Sequence, residues 1–134
     1  MRHADATADL RAAAARALAA HVAPGEAVAV ALSGGRDSVV LLDVLLHVAP
    51  PRGHRLAALH VHHGLSPNAD RWQRFCADLC AARGVPFESR AVTVPRTPQA
   101  GMEAEARRPR YAALADAAIA AGIGHVALAH HRHD

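Results

Sequence analysis

Six residues, Ser33-Gly34-Gly35-Arg36-Asp37-Ser38, join an apolar run, Glu26-Ala-Val-Ala-Val-Ala-Leu32, to a second one, Val39-Val-Leu-Leu-Asp-Val-Leu-Leu46, whose apolar positions have helical spacing. An apolar run, a tight turn with two glycines and a helical stretch predict a strand, a loop and a helix in direct succession. Glycine lets the backbone approach a ligand closely and take up positive φ, and the first turn of the helix offers N–H groups without partners. Those donors and the helix dipole favour an anion, most often phosphate. Ser33 and Ser38 place hydroxyls at the two ends of the turn. The expectation is a nucleotide site.

Asp37 is the unusual member, because a carboxylate beside a polyphosphate repels it unless a divalent cation lies between them. Mg²⁺ is bound in just that way, by one or two carboxylates together with phosphate oxygens. A serine or aspartate in such a turn serves equally well as a helix cap, so the residue types alone leave both readings open. The turn is not a Walker A loop, since no Gly-Lys-Ser/Thr follows, and it is not G-x-G-x-x-G.

At 134 residues the chain has room for one small domain. It is 51% hydrophobic but only 3% aromatic, so its core must be built from Ala, Val and Leu, which suits helices packed closely on a sheet. A net charge of +3, with eleven histidines able to add more in acid, fits a polyanionic partner. No apolar run is long enough to span a membrane and the Ala-rich start lacks a secretory layout, so a cytoplasmic location and no membrane partner are expected. Cys76 and Cys80 fall four apart in a predicted helix and read as two buried thiols.

Along the chain, a first helix is expected over 5–22, as an element packing on the domain formed by 23–134. Its apolar stripe is Leu10, Ala14, Ala17, Leu18 and His21. Strands are expected near 27–32, 55–62, 87–94 and 125–129, and further helices over 39–48, 66–82 and from 102 onward. Trp72, Phe75, Cys76 and Leu79 are expected to face inward, and the more polar third strand to lie at an edge. Pro109 predicts a kink, or a helix that begins there. Alternating strands and helices give an α/β fold, a parallel sheet with helices on both faces.

Histidines crowd the end of the second strand, His60-Val61-His62-His63. Ligands of a parallel sheet gather at the carboxyl ends of its strands, so nucleotide or substrate contact is favoured there. Neighbouring histidines on a strand point to opposite faces and share a metal poorly, which disfavours zinc. Further on, Glu103 and Arg107 have the spacing of a helical ion pair, and Arg107, Arg108 and Arg110 form a cationic patch suited to phosphate oxygens.

The turn matches Ser-Gly-Gly-x-Asp-Ser position by position, and so resembles the pyrophosphate loop of the PP-loop ATP pyrophosphatases, a Rossmann-like, adenine nucleotide alpha hydrolase-like fold. Three further blocks, His60 to Asp70, Glu103-Ala-Glu-Ala-Arg-Arg-Pro-Arg-Tyr111 and His131-Arg-His-Asp134, are similar to the tRNA(Ile)-lysidine synthetase branch of that family. The resemblance implies ATP and Mg²⁺ as cofactors, and L-lysine and an isoleucine tRNA with a CAU anticodon as partners; a homodimer stays open. It implies a ligase that adenylates the C2 oxygen of the wobble cytidine and then joins lysine to C2. Ser33, Gly34, Gly35, Arg36, Asp37 and Ser38 would hold the pyrophosphate end of ATP, with His60 and His62 beside the adenosine. Glu103, Arg107, Arg110 and His131 would bind lysine or phosphates. Asp37, Arg107 and Asp134 would be catalytic, with Asp37 and Asp134 near the metal. His133 stands where the family pattern has a second Asp, and the resemblance reads the chain as the N-terminal part of a longer protein, its sheet incomplete at the C-terminus. Two alternatives stay open. One is another PP-loop tRNA modifier of the thiolating type, although Cys76-x-x-x-Cys80 lacks the usual Cys-x-x-Cys spacing. The other is a non-catalytic ATP-binding module.

Overall fold

The computed structural model describes residues 2–62, 68–92 and 102–129, with side chains over 8–62, 68–92 and 111–129. Four helices, α1 (Arg2–His21), α2 (Arg36–Val48), α3 (Ala69–Arg83) and α4 (Met102–Ala120), alternate with four strands, β1 (Val28–Ala31), β2 (Leu56–His62), β3 (Phe87–Ala91) and β4 (His125–Ala127). The strands form one parallel sheet in the order β3-β2-β1-β4. As the polarity of its residues suggests, β3 is an edge strand.

Alternation along the strands divides the core between the two faces of the sheet. Val28, Val30, Leu32, Leu56 and Ala58 pack with Leu18 and Val22 of the α1 region, Leu42 and Leu45 of α2, and Cys76 and Cys80 of α3. Ala27, Ala29, Leu59 and Val61 meet Ala113, Leu114, Ala117 and Ala118 of α4 on the opposite face. Small residues on both sides of that second face are what a chain poor in aromatics has available, and they let helix and sheet approach closely.

Local signals place most element ends. After α2 the Pro50–Arg52 segment forms a 3₁₀ turn closed by Gly53, and α3 ends on Gly84 in the left-handed conformation, its N–H returning to Ala81 and Cys80 carbonyls. Three expectations need correction. The second helix starts at Arg36, three residues earlier than its apolar spacing indicates, so Arg36, Asp37 and Ser38 form its first turn. Of the proposed stripe on α1, Leu18 is buried while Leu10, Ala17 and His21 are exposed. On α3, Cys76 is buried as expected, but Trp72 and Phe75 are each 45% exposed. Helix α4 runs through Pro109, and the loop over 95–101 lies outside the described residues.

The connection from β1 leads through α2 to β2 on one side, while β4 lies on the other side of β1. The carboxyl end of β1 is therefore the point where the winding direction reverses, the place where ligands of open α/β sheets generally bind. The Ser33 turn occupies that end. A helix that follows a strand of a parallel sheet begins at the same edge, so the first turns of α2, α3 and α4 all open towards it.

Candidate nucleotide site

Leu32, the last residue before the turn, is pinned at both of its backbone groups. Its N–H donates to the Leu59 carbonyl at 2.7 Å, and its carbonyl accepts from His60 Nδ1 at 2.7 Å. A carbonyl can only accept, so Nδ1 carries the proton of this imidazole. His60 is only 5% exposed and its ring lies 6.2 Å from that of Phe87. The structure therefore places His60 beneath the turn, as a strut from β2 to the end of β1.

The turn itself is closed by hydroxyls. Ser38, 4% exposed, donates to the Gly35 carbonyl at 2.9 Å and accepts from the Ser33 N–H at 3.2 Å and from the Ser33 hydroxyl at 3.1 Å. Ser33 Oγ in turn accepts from the Gly35 N–H at 3.2 Å. Both serines thus shape the loop by bonding within it. No acceptor among the described residues meets the N–H groups of Gly34, Arg36 or Ser38. Gly35 is the N-cap of α2, and no side chain among the described residues caps the helix start. Gly34 has φ +95°, a value at which any side chain would be strained.

Arg36 and Asp37 are exposed in the first turn of α2, on the open side of the loop. Among the described residues no three His, Cys, Asp or Glu side chains gather into a metal-binding group. His62, at the end of β2, reaches Asp70 in the first turn of α3, with Nε2 to Oδ1 at 2.6 Å. The pair ties β2 to α3 beside the loop and directs this imidazole to a carboxylate of its own chain.

Glu103, Arg107 and Arg110 lie in the first half of α4, on the edge of the sheet that also carries the loop; their side chains, and His63, His131 and Asp134, fall outside the described residues. Cys76 and Cys80 are unpaired and buried. Burial pushes the Cys76 thiol up to about 11, with Cys80 adding to the effect, and burial raises Cys80 too, against the opposing pull of Arg83. Both thiols pack in the core on the α1–α3 face of the sheet.

Sequence reasoning missed Trp72, whose indole lies against Gly34. The apolar spacing of α3 assigns it to the core, and the signal that could have found it is its place in the first turn of a helix that opens at the site edge.

A family model described as PP-loop domain matches residues 8–134. Among curated proteins, the tRNA(Ile)-lysidine synthase of Azoarcus sp. (strain BH72) is 47% identical over 87% of this chain and 25% of its own length. That of Neisseria meningitidis serogroup B is 49% identical over 82% of this chain and 25% of its own. The enzyme of Aromatoleum aromaticum is 52% identical over 72% of this chain and 23% of its own. The chain thus spans about a quarter of the length of the curated relatives it matches. Among solved structures, the U34-tRNA thiolase NcsA from Methanococcus maripaludis aligns with a TM-score of 0.63 over 81% of this chain and 40% of that one, at 18% identity, a likeness of fold.

Proposed function

The chain belongs to the PP-loop family, and from this we propose that it is the ATP-binding part of an enzyme joining lysine to C2 of the wobble cytidine in a CAU-anticodon isoleucine tRNA. Family membership carries ATP use with it. The shared name of the relatives supports a tRNA(Ile) substrate.

The observation that carries the reading is the row of helix-start amides, Gly34, Arg36 and Ser38, without an acceptor among the described residues at the reversal point of the sheet. In the first step the C2 oxygen of cytidine attacks the α-phosphorus of ATP, and the bond to the β,γ-pyrophosphate breaks. Charge then accumulates on the departing pyrophosphate, where fixed amide dipoles lower the barrier most. In the second step the lysine amine attacks C2, the C2–O bond breaks, and AMP leaves with its electron pair while the amine loses a proton. A bound Mg²⁺ would neutralise phosphate charge, and Asp37 is the residue of the loop that would hold it, with Asp134 as a second carboxylate. Arg107 and Arg110 offer bidentate donors for phosphate. Glu103 supplies a carboxylate for the lysine amine, and His131 a further polar contact.

The test is pyrophosphate release by the complete protein. Release is expected to require the CAU-anticodon tRNA, and release beyond a single turnover to require lysine as well. Release with neither substrate present would overturn the assignment.

A further inference from the structure

We propose that Trp72 is a positioning residue for the phosphate loop, its indole being the wall against which the bend at Gly34 is set. The inference rests on the reading that this loop takes the pyrophosphate end of a nucleotide.

A Cβ placed on Gly34 would lie 3.0 Å from Trp72 Cε3, 3.7 Å from Cζ3 and 3.5 Å from Cys76 Sγ. The space where any other residue would carry its side chain is therefore filled by the indole and the thiol of α3. Burial does not account for the ring's position, because Trp72 is 45% exposed while the interior positions of the same helix, Cys76 and Cys80, are fully enclosed. One part of the indole meets Gly34 and much of the rest faces solvent.

The turn that carries the ring is itself held. The Trp72 backbone N–H donates to the Asn68 carbonyl at 2.9 Å, and Asp70, in the same turn, binds His62 of β2. One turn later, Cys76 Sγ lies 3.8 Å from the Leu32 carbonyl, the group that also receives His60. The loop is thus confined from two directions: the serine hydroxyls close it from within, and α3 backs it from outside. Glycine is the residue whose backbone roams most widely when nothing confines it. A wall at Gly34 removes that freedom before the ligand arrives, and preorganisation of this kind appears as affinity.

Trp72 is the one tryptophan of these 134 residues, so its emission is isolated as the difference between wild type and Trp72→Phe. In the complete protein, adding inorganic pyrophosphate with Mg²⁺ should shift that Trp72 emission. Calorimetry should find pyrophosphate binding about tenfold weaker in Trp72→Ala and within about threefold of wild type in Trp72→Phe, where a ring is retained. Gly34→Ala and Trp72→Ala should be non-additive, because the first already displaces the loop from the wall that the second removes. Circular dichroism separates misfolded variants from weak binders. Wild-type affinity in a folded Trp72→Ala, full additivity of the pair, or unchanged emission at saturating pyrophosphate would each overturn the role of Trp72 while leaving the nucleotide reading intact. Failure of the wild type to bind pyrophosphate or ATP would overturn both.

Discussion

The two ends of β1 treat their polar groups in opposite ways. At the amino end, Glu26 is engaged throughout: its N–H donates to Ala23, its carbonyl accepts from His54 Nδ1 at 2.8 Å, and its carboxylate accepts from the Ala23 N–H at 2.9 Å and lies 3.5 Å from His125. At the carboxyl end the two serine hydroxyls bond to each other, while three amides of the turn have no acceptor among the described residues. Neighbouring stretches of one strand thus show the difference between a turn that completes a fold and one that stops short of completing itself. The carboxyl end is where the proposed nucleotide would find donors.

Perturbing the two ends should separate binding from stability, and the largest effect is expected at Asp37. Asp37→Ala should weaken MgATP by about 100-fold, because in the proposed site the exposed carboxylate would hold the metal. Unaltered affinity in calorimetry would remove the metal role. Ser38→Ala should cost about 2 kcal/mol in urea denaturation and weaken nucleotide as well, since its buried hydroxyl serves three partners at once. A stability loss without any loss of affinity would show that the hydroxyl network does not shape the site.

A pH effect should follow from the thiols behind the loop. Cys76 is raised from the ordinary value of 9.0 to about 11, so between those values the unfolded chain has lost a proton that the folded one retains. Stability is therefore full below about pH 9 and declines as pH rises towards 11. Urea midpoints taken across that window should fall, and Cys76→Ala should flatten the decline; a wild-type midpoint independent of pH there would contradict the enclosed state of the thiol. The smallest effect is expected at the opposite end of the strand. Glu26→Gln should cost under about 1 kcal/mol, as for other half-exposed pairs, and leave nucleotide affinity untouched. A change in affinity would erase the contrast between the two ends.

Much of this arrangement is legible in the residues. The strand, turn and helix around Ser33 follow from hydrophobic period and glycine placement, and the polar composition of β3 already marks an edge. The start of α2 is less legible, because apolar spacing registers only where a helix is buried, and the turn holding Arg36 and Asp37 is exposed. Trp72 is misread for a related reason: a periodic apolar residue implies contact with something, but periodicity does not say whether that is the core or a neighbouring loop. His60 shows the same limit. Its place at the end of β2 is readable, while its direction, towards the Leu32 carbonyl, depends on which strand lies beside it.

The order of residues determined that this chain would make a parallel α/β sheet with a glycine turn between a strand and a helix, since backbone preference and hydrophobic period act over a few neighbouring positions. Only the tertiary structure decided that Ser33 and Ser38 would use their hydroxyls on each other, that His60 would brace the end of β1, and that the indole of Trp72 would stand where Gly34 has no side chain. These contacts join segments that are close only after the sheet has formed, and no local preference encodes them.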